Sequence, residues 1–466
     1  MIVLTHGYFL EDDAKEQQIM KPYPPLGILY LSAYLEQNNF EHEVFDTTFS
    51  SKHLFKEYLL EKRPAFLAIY VNLMTKINVV QIIQFVKSEP VLKDTKIILG
   101  GPDIRYNKEN LLNSKADFLV IGEGEESFLE LITALVNNES FIGIAGIAFK
   151  TNQGAIIINP ERGLKKNLDE LPFPNRKKIN LHNYLDTWKK YHGNSSITIN
   201  TMRGCPYSCH WCSRGVYGKS YRRRSPQNVI DEIKLINEEY SPDNIWFVDD
   251  VFTVSHKWLE EFTHLIESQK VGIQFECITR ADRLNKEVID LLKRAGCFRV
   301  WIGAESGSQK IIDLMDRRVD VKVVQQMIQA AQQAGIQAGT FIMLGYPTET
   351  EKDIKQTLQH LKNANPEWFT ITITYPIRGT ELFEEVEAIS NAHEINWADN
   401  TDRDIDFKRT YTKKYYQYAI QWIVQEMAFY QRRNKKLGLL TSSKTKLKAI
   451  RARVGMMMEK RKTAFV

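Results

Sequence analysis

Two separate series of short, β-branched-rich runs alternate with helical periods along this chain, and that alternation confines it to an α/β architecture. In residues 1 to 150 the runs IVLTHG, EHEVFD, AFLAIYV, TKIILGG and DFLVIGEG are spaced by helical stretches such as PLGILYLSAYLEQN, KHLFKEYLLEKR and INVVQIIQFVKS. This predicts a doubly wound parallel sheet, a fold that binds ligands in the loops at the carboxyl ends of its strands. The polar or glycine-bearing tips are Asp46 after HEVFD, Asn72 after AIYV, Gly100 and Gly101 ahead of Pro102-Asp103, and Gly122, Glu123, Gly124 and Glu125 after DFLVI. Residues 151–194, with LDELPFPNR, show little periodicity and read as a connecting segment.

The second series occupies residues 195–390: SSITINT, NIWFVDD, IQFECITR, RVWIGAE, QAGTFIMLG and WFTITITYP. Six strand-helix units are two short of a closed eightfold barrel. They predict a partial (β/α)6 barrel whose active face is the C-terminal end of its strands. Residues 391–466 read as a helical, aromatic and basic C-terminal segment. A chain of 466 residues with 43% apolar and 26% charged residues is a globular protein of two or three domains, which excludes disordered, fibrous and membrane classes. The start MIVLTHGYFLEDD lacks a basic region followed by a long apolar run, so the expected location is cytoplasmic.

The five cysteines are too few and too uneven for a disulfide framework, and three of them crowd into RGCPYSCHWCSR, directly after the first strand of the second series. Cys205, Cys209 and Cys212 follow a C-x3-C-x2-C spacing. On one loop, each of three thiolates can hold one iron of a four-iron cluster and leave the fourth iron open. The alternatives are a structural zinc site completed by His210, or unconnected buried cysteines. Zinc sites use repeated C-x2-C pairs, and His210 directly follows Cys209, a poor position from which to close a tetrahedron. Cys277 and Cys297, in or beside apolar strands, read as core.

The run RGCPYSCHWC is similar to the signature of the radical S-adenosylmethionine (SAM) superfamily. The resemblance implies a 4Fe-4S cluster on Cys205, Cys209 and Cys212, with SAM chelated at the open iron and cleaved reductively to a 5′-deoxyadenosyl radical. Tyr207 and Trp211 of the same run are implied cofactor contacts. GAESGSQ, with Glu305 and Ser306, resembles the family's ribose-binding fourth strand, GTFIMLGYPTET, with Met343, its fifth-strand segment beside adenine, and YPIRGTELF its sixth. Asp249, of the pair Asp249-Asp250 after NIWFV, and Arg280 after QFECIT stand between two readings, site contact or buried ion pair; the resemblance places an aspartate near the SAM amine. Arg222-Arg223-Arg224 reads as a solvated basic turn before a helix start at Ser225-Pro226.

Joined to such a barrel, PYPPLGILYLSAYL, the GGPD turn, DFLVIGEGEES and LDELPFPNR resemble the cobalamin-binding domain of the B12-dependent radical SAM group. The resemblance implies cobalamin held by the first domain's loop tips. Asp103 stands where relatives often carry His, and the first domain has no D-x-H-x-x-G, so cobalt without a histidine lower ligand is expected. A nucleotide-binding or purely structural sheet is the alternative, though Gly122-Glu123-Gly124 lacks the third glycine of a dinucleotide motif.

The leading functional expectation is methylation of an unactivated carbon of a small-molecule or lipid substrate, with an electron donor such as flavodoxin or ferredoxin. The group's anaerobic magnesium-protoporphyrin ester cyclases make oxidative cyclisation or rearrangement the alternative. From another class comes a non-catalytic cobalamin-binding regulator with a structural cluster. Residues 441 to 466 carry eight cations against one acid. A solvated helix face is the default reading of that tail, peripheral contact with an anionic membrane surface its alternative, and nucleic acid is not expected.

Overall fold

The structure, a computed structural model, describes residues 1–434 and 439–463. The side chains of 439–442 and 462–463 fall outside that description, as do Lys435 and Lys436 of the basic stretch and residues 464–466. The chain divides into two compact units. One is Met1–Pro206, Ser213–Trp246 and Glu394–Asp404; the other is Tyr207–Cys212, Phe247–His393 and the described residues from Ile405 on.

In the first unit, strands β1 (Ile2–His6), β2 (His42–Phe45), β3 (Phe66–Tyr70), β4 (Lys96–Gly100), β5 (Phe118–Val120), β6 (Ile147–Lys150) and β7 (Ile156–Ile158) form one sheet in the order β2-β1-β3-β4-β5-β6-β7. β1 to β5 are parallel, and β6 and β7 add an antiparallel edge. Both faces are covered, which is why the strands read as nearly unbroken apolar runs. Val3, Leu67, Ile69, Ile97 and Leu99 enter one core, and Ile2, Leu4, Ala68, Ile98 and Val120 enter the other.

The segment expected to be a connector is packed structure. It supplies β7 and the helix Leu181–His192, whose Leu181, Tyr184, Leu185 and Trp188 are buried at helical spacing. Trp188 Nε1 donates to Pro22 O at 2.8 Å, and Tyr184 OH donates to Asp46 Oδ2 at 2.8 Å.

The remaining strands are β8 (Ser196–Ile199), β9 (Met202–Arg203), β10 (Arg222–Arg223), β11 (Asn244–Phe247), β12 (Phe275–Thr279), β13 (Cys297–Glu305), β14 (Gln337–Leu344) and β15 (Trp368–Ile373). Their principal sheet runs β15-β14-β13-β12-β11-β8, the partial six-stranded barrel that the strand count predicts. In the second unit β12 to β15 pair in parallel and in sequence order.

One expectation is corrected. Arg222, Arg223 and Arg224 are not a solvated turn: the first two form β10, antiparallel to β9, and their neighbours are polar groups of the interior. Arg222 Nη1 lies 2.5 Å from Glu123 Oε1, Arg223 Nε donates to Thr201 Oγ1 at 3.1 Å, and Arg224 pairs with the fully buried Glu232. The C-terminal segment is helical as expected, with its long helices beginning at Lys413. Before them, Glu394–Asp404 belongs to the first unit. There Lys76 Nζ donates to Trp397 O at 2.6 Å and to Asn400 O, and Trp397 Nε1 donates to Asn107 Oδ1 at 2.8 Å. No helix among the described residues is long and apolar enough to cross a membrane.

Candidate functional site

The cysteine loop leaves the barrel's first strand through the short ribbon β9–β10. Gly204 makes that exit sterically feasible: its φ is +87°, and a Cβ there would lie 2.5 Å from Ser220 O. Cys205 and Cys212 are partly buried and Cys209 is buried.

Around Cys209 the second unit gathers cationic groups. Arg280 Nη1 lies 3.7 Å from its Sγ, and Arg317 Nη1 lies 3.6 Å from it. Arg280, at the end of β12, is fixed by donation to Asp282 Oδ1 (2.8 Å) and Arg317 O (2.7 Å), and it stacks 3.9 Å above the Tyr207 ring. Arg317 donates to Gly303 O at 3.0 Å and lies 3.7 Å from Glu305 Oε1. Its Nε is buried with no hydrogen-bond partner among the described residues. Two guanidiniums facing one sulfur make a cationic pocket suited to an anionic metal cluster, and an orphaned buried N–H beside it is a donor awaiting a ligand.

Glu305 ends β13 under strain. The pairing with β14 shifts register between Gly303 and Glu305, and Glu305 takes a φ of +63°, a conformation that L residues hold only where the surroundings enforce it. Burial pushes its carboxyl above the ordinary range, against the opposing pull of Arg317 and Arg280. Asp249 is buried just beyond β11. Ser306 is buried with its hydroxyl accepting from Ser308 N (3.1 Å) and 3.3 Å from Thr357 Oγ1. Trp211 and Met343 both pack on the cluster of Ile311, Met315, Tyr346 and Leu382.

The first unit has a cavity of about 240 Å³ at the carboxyl ends of β1, β3, β4 and β5, where the strand order reverses. Leu4, Leu31, Ala68, Ile98, Val120 and Phe128 make it apolar, and Gly100, Gly101, Gly122, Glu123 and Gly124 form its rim. Gly101 has a φ of +117°, and a Cβ there would lie 2.3 Å from Val71 O. Tyr70, whose hydroxyl burial pushes up to about 12, and Tyr217 add aromatic walls. Beside them Arg203 pairs with Glu125 at 2.5 Å; burial would raise Glu125, but Arg203 outweighs it and keeps the carboxylate ionised.

Residues 216 and 217, four and five beyond Cys212, line this cavity, and Gly215 O accepts from Arg105 Nε at 2.8 Å. Asp46 and Asn72 do not line it. Asp46 accepts from Thr48 N and Tyr184 OH and lies 2.9 Å from His6 Nε2, while Asn72 Oδ1 accepts from the amides of Met74 and Thr75. Sequence reasoning missed Arg317, Tyr70, Tyr217 and Arg203, the partner of the strand-tip residue Glu125. Arg203 carried a positional signal, two residues before Cys205.

Comparison with known proteins defines the class. Residues 199–361 match the Radical SAM superfamily, and residues 18–132 match the B12 binding domain. The chain therefore combines a radical SAM domain with a B12-binding domain, and its cofactors are a 4Fe-4S cluster, SAM and cobalamin. It is 28% identical to an uncharacterized methyltransferase of Pyrococcus horikoshii over 82% of each chain. It is 23% identical to the anaerobic magnesium-protoporphyrin IX monomethyl ester cyclase of Rubrivivax gelatinosus, over 79% of this chain and 67% of that one. In fold it resembles a radical SAM methyltransferase of Kitasatospora setae, with a TM-score of 0.69, 18% identity, and coverage of 83% of this chain and 76% of the other.

Proposed function

We propose that the protein transfers a methyl group to an unactivated carbon of a small-molecule or lipid substrate. Together the three cofactors supply reductive cleavage of SAM and a transferable methyl group. One observation carries the reading: residues 203–217 run from the cavity's Arg203 through the three cysteines to its Tyr217 wall, so a single stretch of chain serves both cofactor regions. The similarity to the methyltransferase of Pyrococcus horikoshii supports the same choice.

In this reading Cys205, Cys209 and Cys212 ligate the cluster. Arg280 and Arg317 donate to the Cys209 sulfur and set cationic charge beside the cluster. Glu305, at the strained end of β13, would accept hydrogen bonds from the SAM ribose, with Ser306 fixing the turn beneath it, and Asp249 would hold the SAM amine. The apolar cavity of the first unit would take the flat aromatic base of cobalamin, and the glycines of its rim would let backbone approach closely.

Labelled SAM tests the reading. With reductant, cobalamin and substrate, methyl-labelled SAM is expected to leave label in product; label recovered only in methionine, with a cyclised or rearranged product, overturns it. Two glycines give further tests. In Gly303→Ala the new methyl would lie 2.4 Å from Arg317 Nη2 and 2.6 Å from Glu305 Oε1. SAM cleavage is expected to fall on the order of 100-fold with iron content unchanged, since misplacement by an ångström costs that much. Gly101→Ala, at its positive φ, is expected to lose cobalamin on gel filtration while retaining iron.

A further inference from the structure

The last helix, Leu439–Thr463, is apolar on two sides. Ala449, Ala452 and Met456 are buried on one, and the helix is fastened by polar contacts at its margins. Lys446 Nζ pairs with Glu426 at 2.5 Å, Arg453 pairs with Glu351, and Lys460 Nζ pairs with Glu351 at 2.9 Å. The other side is uncovered. Leu447, Ile450, Val454, Met457 and Met458 are 65%, 51%, 46%, 50% and 62% exposed. Their spacing of three and four residues puts them in one stripe about 16 Å long.

A second row, Lys444, Lys448 and Arg451, runs beside that stripe at the same spacing. All three are exposed, and none forms an ion pair among the described residues. The helix has one acid, Glu459, which is buried beside the Thr412 hydroxyl, so the uncovered side carries no negative charge among the described residues. A soluble surface rarely leaves aliphatic residues in such a row.

We propose that this face docks on an anionic lipid bilayer, with the aliphatic stripe entering the headgroup boundary and Lys444, Lys448 and Arg451 meeting lipid phosphates. Five aliphatic side chains require apolar cover, which a nucleic acid backbone does not offer, and the adjacent cations require negative charge; the surface of an anionic bilayer supplies both. The surface is independent of the reaction, so the assignment survives a different chemistry at the barrel.

Flotation of the full-chain holoenzyme with phosphatidylcholine vesicles, with and without phosphatidylglycerol, tests it. Two variants are compared, L447S/I450S/M458S and K444E/K448E/R451E, each checked for native far-ultraviolet dichroism and unchanged SAM cleavage. The expected result is salt-sensitive flotation with the anionic vesicles that falls at least about tenfold in either variant. Three results would overturn it: no flotation of the unaltered protein, flotation indifferent to both variants, or a dimer without lipid that the serine variant dissociates, which would make the stripe a copy-to-copy interface. Retention on duplex nucleic acid, lost only in the glutamate variant and without vesicle binding, would overturn it too.

Discussion

Cys209→Ser, reconstituted anaerobically with iron and sulfide, is expected to bind less than about a tenth of the wild-type iron and to form no detectable 5′-deoxyadenosine from SAM under reduction. The reason lies in the surroundings of the sulfur. Cys209 is buried and faces Arg280 and Arg317, both themselves buried and held by backbone carbonyls, and a guanidinium cannot replace sulfur as an iron ligand. A serine hydroxyl ionises far less readily than a thiol and is a poor partner for iron. Cys277→Ala is the control. Cys277 sits within β12, burial raises its thiol well above the ordinary value, and its loss should leave iron and SAM cleavage intact while costing about 1 kcal/mol of packing. Iron that stays with Cys209→Ser and leaves with Cys277→Ala would refute the ligand assignment.

Glu232→Ala is expected to be the most destabilising single change in the first unit, by about 3–5 kcal/mol in urea unfolding at neutral pH. Glu232 is fully buried between two buried guanidiniums. Arg176 Nη2 lies 2.7 Å from its Oε1, and Arg224 Nη1 meets its other oxygen. Alanine would leave two cations facing each other without compensation, a cost that a surface pair would not incur. The pH dependence has a definite sign. Burial works to raise the Glu232 carboxyl, but Arg224 and then Arg176 outweigh it, so its folded value lies below the ordinary one. The pair's contribution is complete above the ordinary carboxylate range and is lost as pH falls through the folded value, so the gap between wild type and variant should narrow on acidification. A gap constant from neutral pH down to strongly acidic conditions would show that the carboxylate is not the stabilising form.

Much of the fold was legible because its signals are local. Parallel strands covered on both faces must be apolar at nearly every position, and IVLTH, FLAIY and KIILG are. The three cysteines share one loop, so spacing alone described them. Other features depend on partners far away in sequence. Arg203 meets Glu125 from 78 positions away and Arg222 meets Glu123 from a still more distant part of the chain, and Arg317 reaches Cys209 from a turn with no pattern of its own. Three adjacent arginines read as solvated because that is how most such runs end. The helix Leu181–His192 was within reach of periodicity, and Pro172 and Pro174 just ahead of it drew attention to the irregular stretch instead.

Glu394–Asp404 has a consequence for how the molecule is made. The N-terminal unit is incomplete until this stretch, with the Trp397 indole and the carbonyls that receive Lys76, has been synthesised. At a ribosomal rate of about 5–20 residues per second, the sheet waits on the order of tens of seconds for its final piece. Expression fragments ending near residue 390 would omit it permanently, leaving the Lys76 ammonium to find other acceptors.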